Sequence, residues 1–308
     1  MVSLSKAFAD ELVGSRPERL EEFAELAAPI IDYILGNLSK RIPSKTIAAS
    51  HYHLLRIKAN DSMRIRPINT RLFIEDSQEL RSQSQTCFKL LDELARNRGN
   101  TAQRATRFES FIRDNGIDKV FYTIQQGIGC GLDIFVPENQ ARKLAGIYFE
   151  MLMKAVFERL GMHYKSLQLS IPLESQTFRY KCDIDCVINR VREVSSTSTY
   201  IDTQDTIVSI KTSSKDRMPK IFIDKLLLER FVGHKIKLVA IFHNDIQRQA
   251  EEKVSVTFVA NLFLIYTKFL SELDGVYFVD PPIHVEKEPW KDKVLPFSRL
   301  VLEDIWKI

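Results

Sequence analysis

The sequence predicts a mixed α/β fold, in which a sheet is flanked by helices and preceded by a largely helical N-terminal region. Apolar residues recur at helical spacing through most of residues 17–126 and again over residues 137–160. Between residues 167 and 279, short apolar runs are separated by turn-forming residues, a pattern typical of strands. With 308 residues and 44% hydrophobic content, the chain is long enough and apolar enough to bury a large core.

The N-terminal region is expected to consist mostly of helices. An amphipathic pattern starts at Pro17, a residue suited to the first turn of a helix, and continues to Leu38. A cationic segment with few acids follows: Arg56, Lys58, Arg64, Arg66 and Arg71. Such a segment fits a surface that faces phosphate or, equally well, an ordinary solvated face.

Three closely spaced glycines follow this region, in the segment Gly127-Ile-Gly-Cys-Gly131. They resemble a phosphate-binding loop only superficially, because no lysine–serine pair follows and Pro137 interrupts the chain before a helix could receive a phosphate. We therefore predict a hinge or linker here. It would separate an N-terminal region, residues 1–126, from a second domain, residues 137–308.

The second domain alternates between helix and strand patterns. A long helix is predicted from Pro137, with Gly161 as its stop signal. Strands are predicted around residues 167–171, 178–188, 206–211, 236–242 and 276–279, and helices over residues 219–231 and 254–273. This order predicts a sheet with helices packed on it.

Composition restricts the class of protein. No run of about 18 apolar residues is present, and Lys6, Asp10 and Glu11 stand where a signal peptide would need an apolar segment, so a cytoplasmic protein without membrane contact is expected. Scattered cysteines without zinc-finger spacing fit a reducing intracellular compartment: Cys87, Cys130, Cys182 and Cys186. A net charge of +4 and a pI near 8.7 permit a nucleic-acid partner but do not establish one.

Two acids lie on the predicted strand at residues 178–188. Because side chains alternate sides along a strand, Asp183 and Asp185 should share one face, and Cys182, Ile184 and Cys186 the other. Two carboxylates on one face could bind Mg²⁺, which prefers oxygen ligands and needs few of them from the protein. The plain alternative is that both acids are solvent-facing residues at a sheet edge.

The next predicted strand ends on a lysine. Ser209 and Lys211 should lie on one face of this strand, and Val208 and Ile210 on the other. If the two strands are neighbours, the acids and the lysine meet at one edge of the sheet. Hydrolysis of a phosphodiester requires carboxylates that hold magnesium and a group that orients or helps to deprotonate water. The pattern therefore suggests a metal-dependent nuclease; the alternative is that Lys211 merely ends a strand.

Further residues around these acids and this lysine match a pattern found in known proteins. Ser209-Ile-Lys211 is followed by Thr212-Ser213, by Lys215-Asp216-Arg217 and by Asp224 on the next predicted helix, and Gly146-Ile-Tyr-Phe-Glu150 lies on the helix before the sheet. In this set the chain resembles type II restriction endonucleases of the PD-(D/E)xK fold, in particular the branch that acts on CCGG or related G·C-rich sites. That branch has serine-x-lysine where an acid is usual, and it carries the displaced acid on the following helix. The resemblance covers roughly residues 137–245.

The resemblance implies a restriction-endonuclease-like fold and a role for each matching residue. The implied metal ligands, for Mg²⁺, are Asp185, Asp224 and Glu150. Lys211 would serve the attacking water, and Asp183 is the other candidate for the bridging acid. The implied DNA contacts are Lys215, Asp216 and Arg217, with Ser209 and Ser213 beside them. In this interpretation Arg217 contacts guanine O6 and N7, and Asp216 accepts from cytosine N4. No organic cofactor is expected.

The chain departs from the pattern of that branch in three places. No proline precedes the strand acid, so Asp183 and Asp185 both remain candidates for the bridging ligand; we favour Asp185, because the apolar or small residues Cys186-Val-Ile188 follow it. Lys215 stands where arginine is commoner, and lysine lacks the planar fork for a bidentate contact with guanine. The helical acid is the shorter aspartate, and Lys225 beside it could face the site instead.

The expected activity is cleavage of double-stranded DNA at a short palindromic, G·C-rich site, dependent on Mg²⁺ and leaving 5′-phosphates. A homodimer in a prokaryotic cell would match one active site to each strand. Residues 1–126 would embrace the DNA or build the dimer. Two alternatives remain: a repair or junction nuclease of the same fold that reads DNA structure, and a DNA-binding protein on a decayed nuclease scaffold that does not cleave.

Overall fold

A computed structural model describes residues 2–58, 60–98, 100, 106–173, 178–215 and 217–308, leaving aside the side chains of residues 2–5 and 60–64. The helices in the described part of the chain are α1 (Val2–Gly14), α2 (Leu20–Gly36), α3 (Ser77–Arg96), α4 (Glu109–Arg113), α5 (Gly116–Phe135), α6 (Glu138–Arg159), α7 (Met218–Val232), α8 (Ala260–Phe269) and α9 (Phe297–Leu302). The first strands are β1 (Leu38–Pro43), β2 (Tyr52–Ile57), β3 (Asn60–Arg64) and β4 (Ile68–Asn69). The later strands are β5 (His163–Pro172), β6 (Arg179–Asn189), β7 (Thr206–Ser213), β8 (Lys237–Asn244), β9 (Ile246–Arg248), β10 (Val254–Val256), β11 (Gly275–Phe278) and β12 (Leu295–Pro296).

The central sheet is mixed and has the strand order β12-β11-β8-β7-β6-β5. β6 is antiparallel to both β5 and β7, whereas β7, β8, β11 and β12 run parallel to one another. The parallel strands β7 and β8 are joined through α7, because a parallel pair needs a crossover connection. In their register Lys211 lies opposite Phe242 and Ser213 opposite Asn244. The predicted mixed sheet flanked by helices is confirmed.

Apolar side chains on the two faces of this sheet pack into two separate cores. On one face, Val208 and Ile210 belong to a core built with α2, α3, α5, α6 and α9. On the other face, Ile207, Leu238 and Phe242 belong to a core built with α7 and α8. This alternation along β7 confirms the predicted faces of that strand. The first core also contains residues of the N-terminal helices, so these helices and the central sheet share one core.

The N-terminal region is mostly helical, as predicted, but it also contains a small sheet that the sequence did not predict. β1 pairs antiparallel with β2, and β2 pairs in turn with β3 and β4 to form a four-stranded sheet. β1 has the sequence Leu-Ser-Lys-Arg-Ile-Pro and only Ile42 is buried in it, so it carries no clear alternation of apolar and polar residues. Strand identity here comes from pairing rather than from a local pattern.

The predicted hinge at Gly127-Ile-Gly-Cys-Gly131 is wrong, because these residues lie inside α5 and are fully buried. A Cβ atom on Gly129 would lie 2.0 Å from Nη1 of Arg66, and one on Gly131 would lie 2.9 Å from Cδ1 of Ile30. The glycines therefore allow close approach of neighbouring side chains to the helix axis. α5 runs through the position where the sequence predicted a boundary between residues 126 and 137.

The remaining elements follow the predicted order closely. The helices predicted from Pro137 and over residues 219–231 appear as α6 and α7, and the five predicted strands appear as β5, β6, β7, β8 and β11. The helix predicted over residues 254–273 is partly wrong, since β10 occupies its first residues and α8 begins at Ala260. None of the helices in the described part of the chain is both long enough and apolar enough to cross a membrane.

Candidate active site

Asp185 and Lys211 meet on neighbouring strands of the central sheet. Oδ2 of Asp185 accepts a hydrogen bond from Nζ of Lys211 at 2.5 Å and another from the backbone N–H of Ile210 at 2.8 Å. The Ser209 hydroxyl lies 3.5 Å from the same oxygen. Both charged side chains are partly buried, with 16% of Asp185 and 27% of Lys211 exposed. A charge-assisted hydrogen bond in such a setting holds both groups in a defined geometry.

A β-bulge in β6 aims Asp185 at this lysine. Lys165 pairs with Val187 and Leu167 pairs with Ile184, so two steps along β5 face three steps along β6. The extra residue reverses the alternation, because Ile184 packs in one core and Cys186 in the other. The prediction that Cys182, Ile184 and Cys186 share one face is therefore wrong.

Lys154 and Ser166 hold the bulge from the side of α6. Nζ of Lys154 donates to the Ser166 hydroxyl at 2.6 Å, and that hydroxyl donates to the backbone carbonyl of Asp185 at 3.2 Å. Nζ of Lys154 also donates to Oε1 of Glu150 at 2.5 Å, one turn earlier on α6. Glu150 is thus connected to the backbone of Asp185 through two side chains rather than through a shared ligand.

Asp224 lies on the first half of α7, on the other side of the sheet from α6. Its Oδ2 accepts from Nζ of Lys220 at 2.5 Å, again over one helical turn. Lys225 does not face the site: it is buried and donates to Oδ2 of Asp274 at 2.9 Å and to the carbonyl of Glu272 at 2.6 Å. The alternative that placed Lys225 at the site is therefore wrong.

Each of the three proposed metal-binding carboxylates forms an ion pair with one lysine. The pairs are Asp185 with Lys211, Glu150 with Lys154 and Asp224 with Lys220, each at 2.5 Å. Burial acts against the charge of Lys220, but the hydrogen bond and charge of Asp224 outweigh it and raise the pKa of that lysine above its usual range.

Asp183 has a different environment from Asp185. It is exposed, lies opposite Gln168 in the register of β5 and β6, and its Oδ1 accepts from Nε2 of Gln168 at 2.6 Å. No hydrogen bond or ion pair joins it to Lys211 among the described residues. The structure thus brings Asp185, and not Asp183, into contact with the lysine.

The segment after β7 leads from this pair to the surface. The Ser213 hydroxyl accepts from the backbone N–H of Lys215 at 3.2 Å, and Arg217 is the residue that precedes α7. Lys215 and Arg217 are both exposed. Asp216, the remaining residue of the predicted reading segment, lies outside the described residues.

Two clefts meet at Asp185, Lys211 and Arg217. The larger has a volume of about 970 Å³ and also contains Glu150 and Ser213 on its walls. The smaller has a volume of about 280 Å³ and contains Asp183, Ser209 and Asp224. Of the described residues that line the larger cleft, six are basic and two are acidic; Arg66 and Arg142 are paired with Asp133 and Glu138, so a formal excess of two positive charges remains. Such a surface attracts a polyanion.

His243 lies next to the site but is unsuited to acid–base chemistry. Burial lowers the pKa of its imidazole to about 3, and its ring stacks on Tyr122 with the ring centroids 5.2 Å apart. A histidine with this pKa is neutral near pH 7 and cannot donate a proton as an imidazolium. His243 is therefore not among the candidate acid–base groups of the site.

Comparison with known proteins gives the fold but no close relative. No family model and no curated protein sequence matches the chain. The crystal structure of the type IIP restriction endonuclease Kpn2I is similar with a TM-score of 0.72 and 18% sequence identity, over 100% of this chain and 97% of that one. The fold is that of a restriction endonuclease. The complex of the restriction endonuclease PspGI with its substrate DNA is also similar, with a TM-score of 0.39 and 11% identity over 74% of this chain and 89% of that one.

The restriction-endonuclease fold implies Mg²⁺, and the donor atoms present fit that ion in part. Oδ1 of Asp185 and Oδ1 of Asp224 accept no hydrogen bond from the described residues, and both side chains line the smaller cleft. They are hard oxygen ligands, which Mg²⁺ prefers. No group of three or more histidine, cysteine or acidic side chains is close enough to hold a metal among the residues that the structure describes. A magnesium ion here would therefore take one or two protein carboxylates and fill its other positions with water and phosphate.

Lys154 and Lys220, which pair with Glu150 and Asp224, were not predicted from the sequence, although their spacing indicates them. Glu150 and Lys154, like Lys220 and Asp224, are four residues apart on one helix and therefore neighbours on its surface. The role of Ser166 had no such signal, because it depends on the pairing of β5 with β6 at the bulge. Spacing along a helix thus predicts the two ion pairs, whereas the contact of Ser166 with the bulge can be seen only in the tertiary structure.

Proposed function

We propose that this protein is a type II restriction endonuclease that hydrolyses double-stranded DNA at a short palindromic, G·C-rich site, depends on Mg²⁺ and leaves 5′-phosphates. The observation that carries the proposal is the contact between Asp185 and Lys211 at 2.5 Å, at the point where two clefts meet. The restriction-endonuclease fold supports it. A lysine held against a strand carboxylate in the lining of a basic cleft suits attack on a phosphodiester.

Asp185 and Asp224 are the proposed protein ligands of Mg²⁺, with Glu150 as a third candidate on the side of the larger cleft. When bound, the ion would neutralise charge that develops on the phosphate and the leaving oxygen and would lower the pKa of a bound water. The ion would draw on the Oδ1 atoms of Asp185 and Asp224, which accept no hydrogen bond from the described residues, so Lys211 would keep its contact with Oδ2 of Asp185.

Lys211 is the proposed residue that orients the attacking water. Its Nζ carries three N–H groups, of which one is used by Asp185, so two remain for a water molecule and a phosphate oxygen. The bulge and the backbone N–H of Ile210 fix Asp185, and Asp185 in turn fixes the lysine. Such preorganisation lowers the cost of placing the water in line with the scissile bond.

We propose that the DNA binds in the larger cleft. Its excess of basic side chains fits the phosphate backbone, which dominates the affinity of proteins for DNA. Lys215, Asp216 and Arg217 are proposed to read base edges in the major groove, with Ser209 and Ser213 supporting the segment that carries them. Arg217 is exposed, and its guanidinium forms no ion pair with the described residues, so it is free to contact a base.

A homodimer is proposed because a palindromic site presents the same bases to two symmetric subunits. Each subunit would then place its Asp185 and Lys211 at one strand. The N-terminal region, residues 1–126, is proposed to support DNA binding and the dimer. A dimer that forms only on DNA is also compatible with this arrangement.

The proposal is tested by digesting a sequenced phage genome with the purified protein in Mg²⁺ and mapping the ends of the products. Discrete fragments that share one short sequence at their ends and carry 5′-phosphates are expected. Digestion of free ends or branched DNA instead would indicate a structure-specific nuclease. Binding without any cleavage, over a full range of Mg²⁺ and Mn²⁺ concentrations, would indicate a DNA-binding protein that does not cleave.

A further inference from the structure

We propose that Gln247, on the hairpin of β9 and β10, is a specificity-determining residue that reads a guanine of the target site together with Lys215. This inference rests on the proposed function, since it concerns bases in the same DNA. Its starting point is one contact: Nζ of Lys215 donates to Oε1 of Gln247 at 2.9 Å. The contact joins the segment after β7 to a hairpin that follows β8.

The position of this pair suits contact with a base edge. Both side chains are exposed and line the larger cleft, as do Asp185 and Lys211. A duplex seated in that cleft would meet the hairpin on the same side as Lys215. The hairpin therefore extends the proposed reading surface beyond the segment of residues 215–217.

The hydrogen-bond chemistry of the pair selects the base. Because Oε1 of Gln247 already accepts from Lys215, most of the hydrogen-bonding capacity that the pair has left is in donors: two N–H groups of the amide and two of Nζ of Lys215. The major-groove edge of guanine carries two acceptors, N7 and O6, whereas adenine presents a donor beside its one acceptor. A pair that offers mainly donors matches guanine better than adenine. Gln247 thus supplies donors where a lone lysine lacks the fork of arginine.

The hairpin is fixed to the reading segment by partly buried contacts. Ser214 is buried, and its hydroxyl lies 3.3 Å from the hydroxyl of Thr257, just after β10. The Thr257 hydroxyl donates to the carbonyl of Asp245 at 2.7 Å, and the backbone N–H of Thr257 donates to the same carbonyl at 2.8 Å. The two ends of the hairpin and the residue before Lys215 are therefore tied together. Such support is what a rigid reading element needs.

The hairpin is also fixed to the N-terminal sheet. Glu252 forms ion pairs with Lys45 at 3.1 Å and Arg56 at 3.4 Å, and its carbonyl accepts from the backbone N–H of Lys45 at 3.0 Å. Val254 is buried in a small core with Tyr52 and other residues of that sheet. The N-terminal sheet and Lys45, which follows β1, thus support the hairpin through Glu252 and Val254. This support gives the sheet a role in reading DNA without contact to the bases.

The inference is tested by measuring kcat/KM for cleavage of the mapped site and of duplexes that change each of its base pairs in turn. The variants are Gln247→Ala, which removes the side chain, and Gln247→Glu, which keeps an acceptor for Lys215 and removes the donors. Both are expected to lower discrimination at one G·C pair of each half-site by about 5- to 150-fold and to leave the other positions unchanged. Glu251→Gln is the matched control, because Glu251 is at the tip of the same hairpin and pairs with Lys253 rather than with the reading segment.

Three outcomes would overturn the inference while leaving the proposed function intact. One is unchanged discrimination in both Gln247 variants. Another is an equal loss on all duplexes with a weaker salt dependence, which would assign Gln247 and Lys215 to a phosphate. The third is an altered preference in the Glu251→Gln control, which would make the effect a property of hairpin folding. Absence of any site preference in the wild-type protein would instead refute the proposed function itself.

Discussion

At the scale of single residues, the main result is that Asp185 rather than Asp183 contacts Lys211. The two acids are separated by one residue, and the alternation of a regular strand would have placed them together. The bulge instead gives them different partners: Lys211 and the Ile210 N–H for Asp185, and Gln168 for Asp183. The sequence could narrow the choice to two acids but could not reveal the bulge.

Substitution of each acid by its amide should show which of the two is needed for cleavage. Asp185→Asn is expected to slow cleavage of plasmid DNA about 10²- to 10³-fold or more, because it removes the proposed metal ligand and the partner of Lys211. Asp183→Asn should cleave at nearly the wild-type rate, since it removes only an exposed contact with Gln168. Cleavage rates at saturating Mg²⁺ measure both. A loss confined to Asp183→Asn would reverse the assignment, and full activity in both would remove the site.

The sequence also predicted the type of element that carries each proposed site residue, from the helix of Glu150 to the helix of Asp224. Element type follows from local periodicity, whereas the proposed roles come from the family resemblance. What the sequence could not predict is that each carboxylate has its own lysine, since only two of those pairs follow from helical spacing. The third, between Asp185 and Lys211, depends on the register of two strands.

At the scale of elements, α5 shows why a glycine-rich segment can mislead. Glycine favours loops because of its conformational freedom, but it also occurs in helices where another group must come close. In α5 the group is the guanidinium of Arg66, which lies against Gly129 and donates to both carboxylate oxygens of Asp133 at 2.8 and 2.9 Å. A glycine-rich loop and a closely packed glycine-rich helix can therefore have the same local sequence. Only the packing of α5 against its neighbours distinguishes them.

Gly129→Ala should therefore destabilise the protein by about 1–3 kcal/mol, because the new methyl group would displace Arg66 from Asp133 or strain the helix. Gly146→Ala is the matched control, since Gly146 lies in α6 and a Cβ atom added there would meet no neighbouring atom within 4 Å. It should stabilise the helix by up to about 1 kcal/mol. Urea unfolding measures both. Equal effects in the two variants would contradict the close-packing role of Gly129.

At the scale of the whole molecule, a buried polar junction joins the N-terminal sheet to the end of the central sheet. The carboxylate of Asp280, just after β11, accepts from the Tyr52 hydroxyl at 2.8 Å and from Nδ2 of Asn69 at 2.8 Å. Burial raises the pKa of Asp280 to about 7, although these two hydrogen bonds act in the opposite direction. Asp245 lies close enough to add to the rise.

This junction should make stability depend on pH. Because the pKa of Asp280 is raised from 3.8 to about 7 on folding, its contribution to stability is fully present below pH 3.8 and is lost as the pH rises through about 7. Asp280→Asn removes the titrating group. Relative to wild type, the variant should gain about 2 kcal/mol in free energy of unfolding between pH 5 and pH 8.

Urea unfolding of wild type and Asp280→Asn at the two pH values measures this gain. The lowered pKa of His243 has the opposite pH dependence, but it is common to both proteins and cancels in the comparison. Asp114→Asn, at an exposed position, serves as the control. A parallel pH dependence of wild type and Asp280→Asn would contradict the account of the junction.

The layout of the whole molecule was only partly predictable. The mixed sheet and its flanking helices follow from period-two and period-3.6 patterns that persist over whole segments. The N-terminal sheet was missed because strands such as β1 lack that pattern and are defined by their partners. The hairpin of β9 and β10 was missed for the same reason, and with it the contact between Lys215 and Gln247.

The proposed site is tested most directly by digesting one sequenced phage genome in Mg²⁺ with wild-type protein and with Lys211→Ala. We expect the wild type to give discrete fragments whose ends share one sequence, and Lys211→Ala to give none while it keeps the wild-type melting temperature. Lys237→Ala, a change of another lysine on the neighbouring strand β8, should cut as the wild type does. The same fragments from Lys211→Ala, at a comparable rate, would contradict the assignment of this site.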